Sequence, residues 1–232
     1  MKRIVVFTGA GMSADSGIPV FRGGNGLWDN VPIEEICTAE AIQHDRLKVI
    51  RFYNSLRQKM LACQPNDGHL ALVRLEQQYR VEVITQNVDN LHERAGSTHI
   101  THLHGELCKL RSSIDETDAV DLDGWEQQPD ARHPDGSLLR PFIVFFGEGV
   151  PNFPKACDIA STADIFIVIG TSLNVYPAAS LLRYVKAGVP VYIVDPNPID
   201  TSGIGSPVEQ ICERAAVGVP ILVDRLMQQQ DN

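Results

Sequence analysis

Three stretches of this 232-residue chain carry side chains whose types and spacing could do chemistry. In Thr85-Gln86-Asn87-Val88-Asp89-Asn90-Leu91-His92, the Gln86 and Asn87 amides and the Asp89 carboxylate suit ribose hydroxyls and a carboxamide. Asn87 or Asp89 would equally well cap a helix, by accepting from its free backbone N–H groups. In His102-Leu103-His104-Gly105-Glu106, an imidazole followed by glycine can face a cleft without steric shielding. With an ordinary pKa of about 6.5, such a histidine can accept a proton at neutral pH. In Gly170-Thr171-Ser172-Leu173-Asn174-Val175-Tyr176-Pro177, N–H and O–H donors suit phosphate or ribose, and a plain cap for the following helix fits as well.

Each stretch needs a rigid element to hold it. Val81 to Thr85 and Ile165 to Ile169 are apolar, β-branched runs of strand length, and Pro190 to Val194 is a third. Ile4-Val5-Val6-Phe7-Thr8 is a fourth, and it runs straight into Gly9-Ala10-Gly11-Met12-Ser13-Ala14. Gly9-x-Gly11-x-x-Ala14 fits the strand, tight turn and helix start of a dinucleotide pyrophosphate site, in its alanine variant. Gly17-Ile18-Pro19 cuts that helix short, and Phe21-Arg22-Gly23-Gly24-Asn25-Gly26-Leu27-Trp28 reads as a lid over a ligand or as a surface loop with buried aromatics.

Between the strands, residues 34–64, 69–79, 155–162 and 178–186 have helical character. Pro220 opens a closing helix to Gln229. Strands apolar on both faces, alternating with helices, predict an α/β fold: a Rossmann-like, doubly wound parallel sheet covered on both sides. The polar interval from 108 to 140 lacks a strong period and predicts a smaller second lobe with 34–65. The large lobe takes 1–33, 66–107 and 141–232.

Bulk properties narrow the class. A hydrophobic content of 44% with 21% charged residues is that of a soluble globular protein. No apolar run approaches the roughly 20 residues of a membrane span, which argues against a membrane partner. The Met-Lys-Arg start leads directly into a strand, leaving no room for a signal peptide. Five widely spaced cysteines suggest reduced thiols and a cytoplasmic location. A net charge of −9 argues against a nucleic-acid partner and is compatible with basic, lysine-bearing ones.

Gly-Ala-Gly-x-Ser-x-x-Ser-Gly-Ile-Pro-x-Phe-Arg, written by residues 9 to 22, resembles the signature of the sirtuins, the NAD-dependent protein lysine deacylases. Thr-Gln-Asn-x-Asp-x-Leu-His, His-Gly and Gly-Thr-Ser-Leu follow in that family's order. The resemblance implies NAD as cofactor and acyl-lysine proteins or peptides as substrates. It makes His104 the catalytic base, and leaves His92 and His102 as structural residues. It assigns the cofactor to Gly9, Ala10, Gly11, Ser13, Phe21, Arg22, Trp28, Gln86, Asn87, Asp89, Gly170, Thr171, Ser172, Asp195, Asn197 and Ala215. Many members carry Asn where Asp195 stands. For the substrate it implies Tyr53, Leu56, Arg57, Val88, Phe146, Gly147 and Glu148, with 141–148 pairing to an extended peptide. The reaction so implied releases nicotinamide and yields free lysine and O-acyl-ADP-ribose. A protein ADP-ribosyltransferase using the same pocket, or an NAD-binding sensor without turnover, are the rival functions. The oligomeric state stays open.

The chain departs from the family twice. Most sirtuins hold a structural zinc with two cysteine pairs, but after Cys108 no cysteine recurs until Cys157. One thiol cannot build a four-thiolate site, so no structural metal and no zinc ribbon are expected. Asp121-x-Asp123-Gly124 fails as a calcium loop, since Trp125 and Arg132 fall where ligands are required. Leu122, Trp125, Leu138 and Leu139 are the predicted apolar anchors of the small lobe instead. Members that prefer dicarboxylic acyl groups carry Tyr-x-x-Arg, whereas here Tyr53 is followed three residues later by Leu56, then Arg57. That offset turns a helical side chain by about 100°, so the acyl channel should be apolar and favour acetyl or other neutral groups.

Overall fold

Side chains alternate across a strand, so Ile4 and Val6 face one way while Val5 and Phe7 face the other, and all four are fully buried. Such a strand needs cover on both sides, and the computed structural model supplies it. The structure describes residues 1–20, 31–173 and 176–229. In chain order the elements are β1 (Arg3–Thr8), α1 (Gly11–Ala14), α2 (Ile33–Ile36), α3 (Ala39–His44), α4 (Arg46–Ala62), α5 (Asp67–Leu75), β2 (Arg80–Thr85), α6 (Leu91–Ala95) and β3 (Ile100–His102). There follow β4 (Gly105–Ser112), β5 (Ala119–Asp121), β6 (Leu139–Ile143), α7 (Phe153–Ala160), β7 (Ile165–Ile169), a 3-10 helix (Ala178–Tyr184), β8 (Val191–Val194), β9 (Val208–Ile211) and α8 (Ala215–Gln228).

Six strands form one sheet in the order β3-β2-β1-β7-β8-β9, and all five neighbouring pairs are parallel. One face, with Ile4, Val6, Val83 and Ile167, packs on Leu72 and Leu75 of α5 and Leu222 and Leu226 of α8. The other, with Val5, Phe7, Phe166 and Val168, packs on Ala156 and Ala160 of α7 and on Leu181. The predicted doubly wound sheet is therefore present. Its order reverses between β1 and β7, which places a crevice at their carboxyl ends.

A second, antiparallel sheet has the order β5-β4-β6. The predicted lobe boundaries at 107/108 and 140/141 fall inside β4 (Gly105–Ser112) and β6 (Leu139–Ile143). Residues 108–140, read as a stretch without period, contain β5, most of β4 and the start of β6. β5 has three residues, and the longer β4 lacks an alternating apolar pattern. Leu107, Ile143 and Phe145 pack with Tyr53, Val49 and Met60 of α4 in a third cluster.

Three further expectations need correction. Trp125 is not an anchor: it is 38% exposed, and its carbonyl oxygen accepts from Arg57. The interval is fastened by polar side chains of α4 instead. Arg46 donates to the carbonyls of Pro129 and Leu139, and Asn54 both donates to Gln127 O (3.0 Å) and accepts from Gln127 N (2.9 Å). The closing helix begins at Ala215, not at Pro220, because Gly218 lets its first turns settle on β8. A Cβ there would lie 2.5 Å from Val194 Cγ1. β9 was not foreseen, since Glu209 and Gln210 interrupt its apolar character at the sheet edge.

Gly170 sits at φ +59°, and a Cβ there would lie 2.4 Å from Met12 N. Gly136 has a similar backbone (φ +86°) with open space around it. Gly170→Ala should cost about 3 kcal/mol or more from strain and overlap together. Gly136→Ala should cost about 1 kcal/mol from backbone strain alone. Urea unfolding midpoints of the two variants check the difference.

Candidate active site

Because the large sheet is parallel, the carboxyl ends of its strands share one edge. Thr8 is level with Thr85 and Ile169, and Val194 with Ile211. The turns that leave these strands carry residues 9–13, 86–89, 170–172 and 195–197. Backbone bonds stitch three of them together: Gly9 N donates to Ile169 O, Gly11 N to Gly170 O and Gln86 N to Thr8 O, each at 2.9 Å. A Cβ on Gly9 would lie 2.6 Å from Thr171 Cβ, and one on Gly11 would lie 2.6 Å from Gly170 Cα. These two glycines are therefore required by the protein's own backbone crossing, independently of any phosphate.

A buried polar chain runs along this edge. Thr8 Oγ1 donates to Thr85 Oγ1 (2.8 Å), which accepts from Asn87 N (3.0 Å). The Asn87 amide donates to Gly9 O (3.0 Å) and to Ser13 Oγ (3.1 Å), and Ser13 Oγ donates to Asp89 Oδ2 (2.8 Å). Burial pushes the Asp89 carboxyl up, while bonds from Leu91 N and Ser13 pull it partly back. Asp89 thus caps α6 through Oδ1 and also ties the chain to α1. Gln86 reaches across the crevice, its Oε1 accepting from Thr171 Oγ1 at 3.0 Å. Gln86 Nε2 is buried and has no partner among the described residues, so one amide donor is left for a ligand.

His104 lies between the two sheets. Its Nδ1 donates to Gln86 O (3.1 Å), which fixes the tautomer and leaves the Nε2 lone pair as the basic site. Burial pulls its pKa below 6.5, against a smaller opposing effect of the Gln86 bond. Gly105, at φ +89°, lets the chain leave the imidazole at once: a Cβ there would lie 2.0 Å from Phe142 O.

Other predicted residues lie around this centre in different ways. Ala10 sits in the first turn, and Ser172 is exposed beside Thr171. Asp195 Oδ1 accepts from Asn197 N (2.9 Å) in the turn after β8. The Ala215 side chain is not open to a ligand, because it is buried in the core where α8 meets α5. Tyr53 is fully enclosed, stacked on Phe145 and donating to Cys37 Sγ. Arg57 is buried, donating to Leu107 O, Asn54 Oδ1 and Trp125 O. Burial lowers its pKa to about 10. Leu56 and Val88 pack against the small-lobe cluster. Phe146 is exposed, Phe146 N donates to Cys37 O (2.9 Å), and Gly147 turns the chain at φ +86°. Glu148 accepts from Arg140 Nη1 (2.7 Å) and Phe145 N (2.8 Å). Phe21, Arg22 and Trp28 lie outside the described residues.

Several supporting residues escaped the sequence reading. Thr8 and Thr85 carried a weak signal, as hydroxyls at the ends of two apolar runs. Arg140 and Glu93 carried none.

The fold and this edge define the protein as a doubly wound α/β protein with a ligand crevice at the switch point of its sheet. The chain belongs to the Sir2 family, whose model matches residues 9–177. It is 53% identical over 206 residues to an NAD-dependent protein deacylase of Bacteroides thetaiotaomicron, covering 87% of this chain and 88% of that one. A Sir2 homologue mutant in complex with ADP ribose is similar at TM-score 0.90 and 36% identity, over 99% of this chain and 94% of that one. A Sir2–p53 peptide–NAD+ structure is similar at TM-score 0.75 and 32% identity, over 98% and 93%.

Because a depressed histidine gains its proton only as pH falls, His104 should be neutral at pH 7 and titrate below 6.5. Imidazole resonances followed by NMR across pH check this. Ser13→Ala removes a buried donor from Asp89 and an acceptor from Asn87, and should cost roughly 1–3 kcal/mol in urea unfolding.

Proposed function

We propose that this protein removes acyl groups from protein lysines in an NAD-dependent reaction, giving nicotinamide and an O-acyl-ADP-ribose. The single observation that carries the reading is His104 at the switch-point crevice, with Nδ1 committed to Gln86 O and Nε2 left to accept a proton. The donor set fits the cofactor: Gln86 Nε2 is a buried donor without a partner, and it lies beside Asn87 and the Ser13–Asp89 pair. When bound, NAD would supply an electrophilic ribose carbon with nicotinamide as its leaving group. Gln86, Asn87 and Asp89 orient the ribose and carboxamide. Gly9, Ala10, Gly11, Ser13, Gly170, Thr171 and Ser172 carry the diphosphate and adjoining ribose, with Asp195 and Asn197 toward the adenosine. His104 Nε2 takes the proton of a ribose hydroxyl, because burial keeps it neutral at physiological pH.

The substrate lies as an extended peptide along 141–148, whose far end turns at Gly147 and is held by the Arg140–Glu148 pair. The acyl channel takes acetyl or other neutral groups. In support, Arg57 Nε and Nη1 are committed to internal oxygens, and Leu56 stands where the family's carboxylate-gripping arginine would be. The small lobe holds without a metal, supported by the bonds of Arg46, Asn54 and Arg57 to its backbone carbonyls. A reducing, cytoplasmic setting agrees with five unpaired cysteines.

His104→Ala should lower kcat by roughly 100-fold or more and leave the NAD dissociation constant within about twofold. Mass spectrometry on an acyl-peptide panel should show loss of acetyl mass, with succinyl-peptide at least about tenfold slower in kcat/KM. Fully retained turnover in the variant, or gain of ADP-ribose mass on the peptide, would refute the reading. A chelator should leave the thermal midpoint unchanged.

A further inference from the structure

His102 stands two residues before His104 and has the opposite surroundings. It is 7% exposed, and both of its ring nitrogens face oxygen acceptors: Nδ1 lies 2.9 Å from Asn87 O, and Nε2 lies 2.7 Å from Glu93 Oε1. A neutral imidazole has one N–H and one lone pair, so it could serve only one of these oxygens and would repel the other. The arrangement requires a proton on each nitrogen. The proton belongs to histidine and not to Glu93, because the Glu93 side chain is 39% exposed and so keeps its charge hydrated.

We propose that His102 is a positioning residue that works as an imidazolium, pinning the backbone of Asn87 so that the 86–89 turn holds the nicotinamide-ribose end of NAD. The inference rests on the proposed NAD-dependent reaction. His102 touches no reacting atom in this scheme. It acts through Asn87, whose side chain is in turn bonded to Gly9 O and Ser13 Oγ. A second anchor holds the imidazole's own backbone, since Asn152 Nδ2 donates to His102 O at 2.8 Å.

The charges around the ring come from three sides. Glu93 and neutral His92 lie on α6, Glu106 with its partner Lys109 on β4, and Asp89 in the turn itself. Burial alone would pull His102 down. The hydrogen bond and charge of Glu93, the Asn87 carbonyl and Glu106 together outweigh it and hold the pKa above 6.5. The sign follows: the pinned turn is fully present at low pH and is released as pH rises through that raised value. Loss of the proton sets a ring lone pair against Asn87 O or against the Glu93 carboxylate.

The test uses the full chain, Glu93→Gln and His102→Gln, with nitrogen NMR of the imidazoles and NAD binding measured across pH. In the NAD-free wild type, His102 should show two protonated ring nitrogens at pH 7. NAD affinity should then fall along an alkaline limb. Glu93→Gln should move that limb down by about one pH unit, since it removes the neighbouring charge. His102→Gln should abolish the limb and weaken NAD roughly tenfold, with kcat at saturating NAD and the acyl-peptide KM within about twofold. A neutral His102 at pH 7, or an alkaline limb unmoved by Glu93→Gln, overturns the proposal even if His102→Gln fails to fold. Wild type that does not bind NAD refutes the enzymatic reading itself, whereas wild type and both variants binding NAD equally at every pH refutes only the role of His102.

Discussion

Two turns cross at the middle of the large sheet so closely that no side chain fits between them. Gly9 and Gly11 leave β1, Gly170 leaves β7, and a Cβ on any of the three would come within 2.6 Å of the opposing turn. This contact sets the rest of the crevice. It holds the carboxyl ends of β1 and β7 level, so that Gly9 N and Gly11 N can donate to Ile169 O and Gly170 O. It also brings Thr171 to Gln86 and places α1 with Ser13 above Asn87 and Asp89. The polar chain is thus a consequence of backbone packing. A glycine-rich turn is usually read as room for a ligand. Here its first physical demand is room for another strand's exit.

The small lobe is tied into the same place through β4. Leu107 N donates to Val88 O (2.8 Å), inside the turn that carries Asn87 and Asp89, and Val144 N donates to His104 O (3.0 Å). The strand that carries the second sheet therefore begins at the residue after His104, with Gly105 allowing β6 to cross. Arg57 closes the other side by bonding Leu107 O. Helix α4 does not simply lie on the sheet through apolar contact. It sends Arg46, Asn54 and Arg57 to backbone carbonyls of the interval, among them those of Pro129, Gln127 and Trp125, which is how a polar excursion can be held against the fold.

The middle of the large sheet was legible because β1 and β7 are buried on both faces, so each reads locally as an unbroken apolar run. The order of motifs at their ends was legible for the same reason. What stayed hidden depends on residues distant in the chain. The antiparallel sheet has strands such as Ala119–Asp121, too short to show a period, and β9 is an edge strand with polar residues. Trp125 looked like an anchor by type, but its carbonyl does the anchoring. The residue type of Trp125 pointed to its ring, and Arg57, far away in the chain, bonds its carbonyl. The pairing of Glu148 with Arg140 likewise carried no sequence signal.

The two histidines of His102-Leu103-His104 show how little of this chemistry resides in residue type. Both are largely buried, and burial pulls both toward the neutral form. His104 has one neighbour that matters, a backbone carbonyl, and a neutral imidazole satisfies it with one N–H. His102 has two acceptors, one of them the Glu93 carboxylate of α6, and only the charged ring satisfies both. The difference is made by α6, which Asp89 starts through Leu91 N and Gly96 stops at φ +108°. That helix sets Glu93 against His102, while His104 has no carboxylate partner among the described residues. A single short helix thus separates a proton acceptor from a fixed cation two residues away, and the same Asp89 that starts it lies in the crevice both histidines serve.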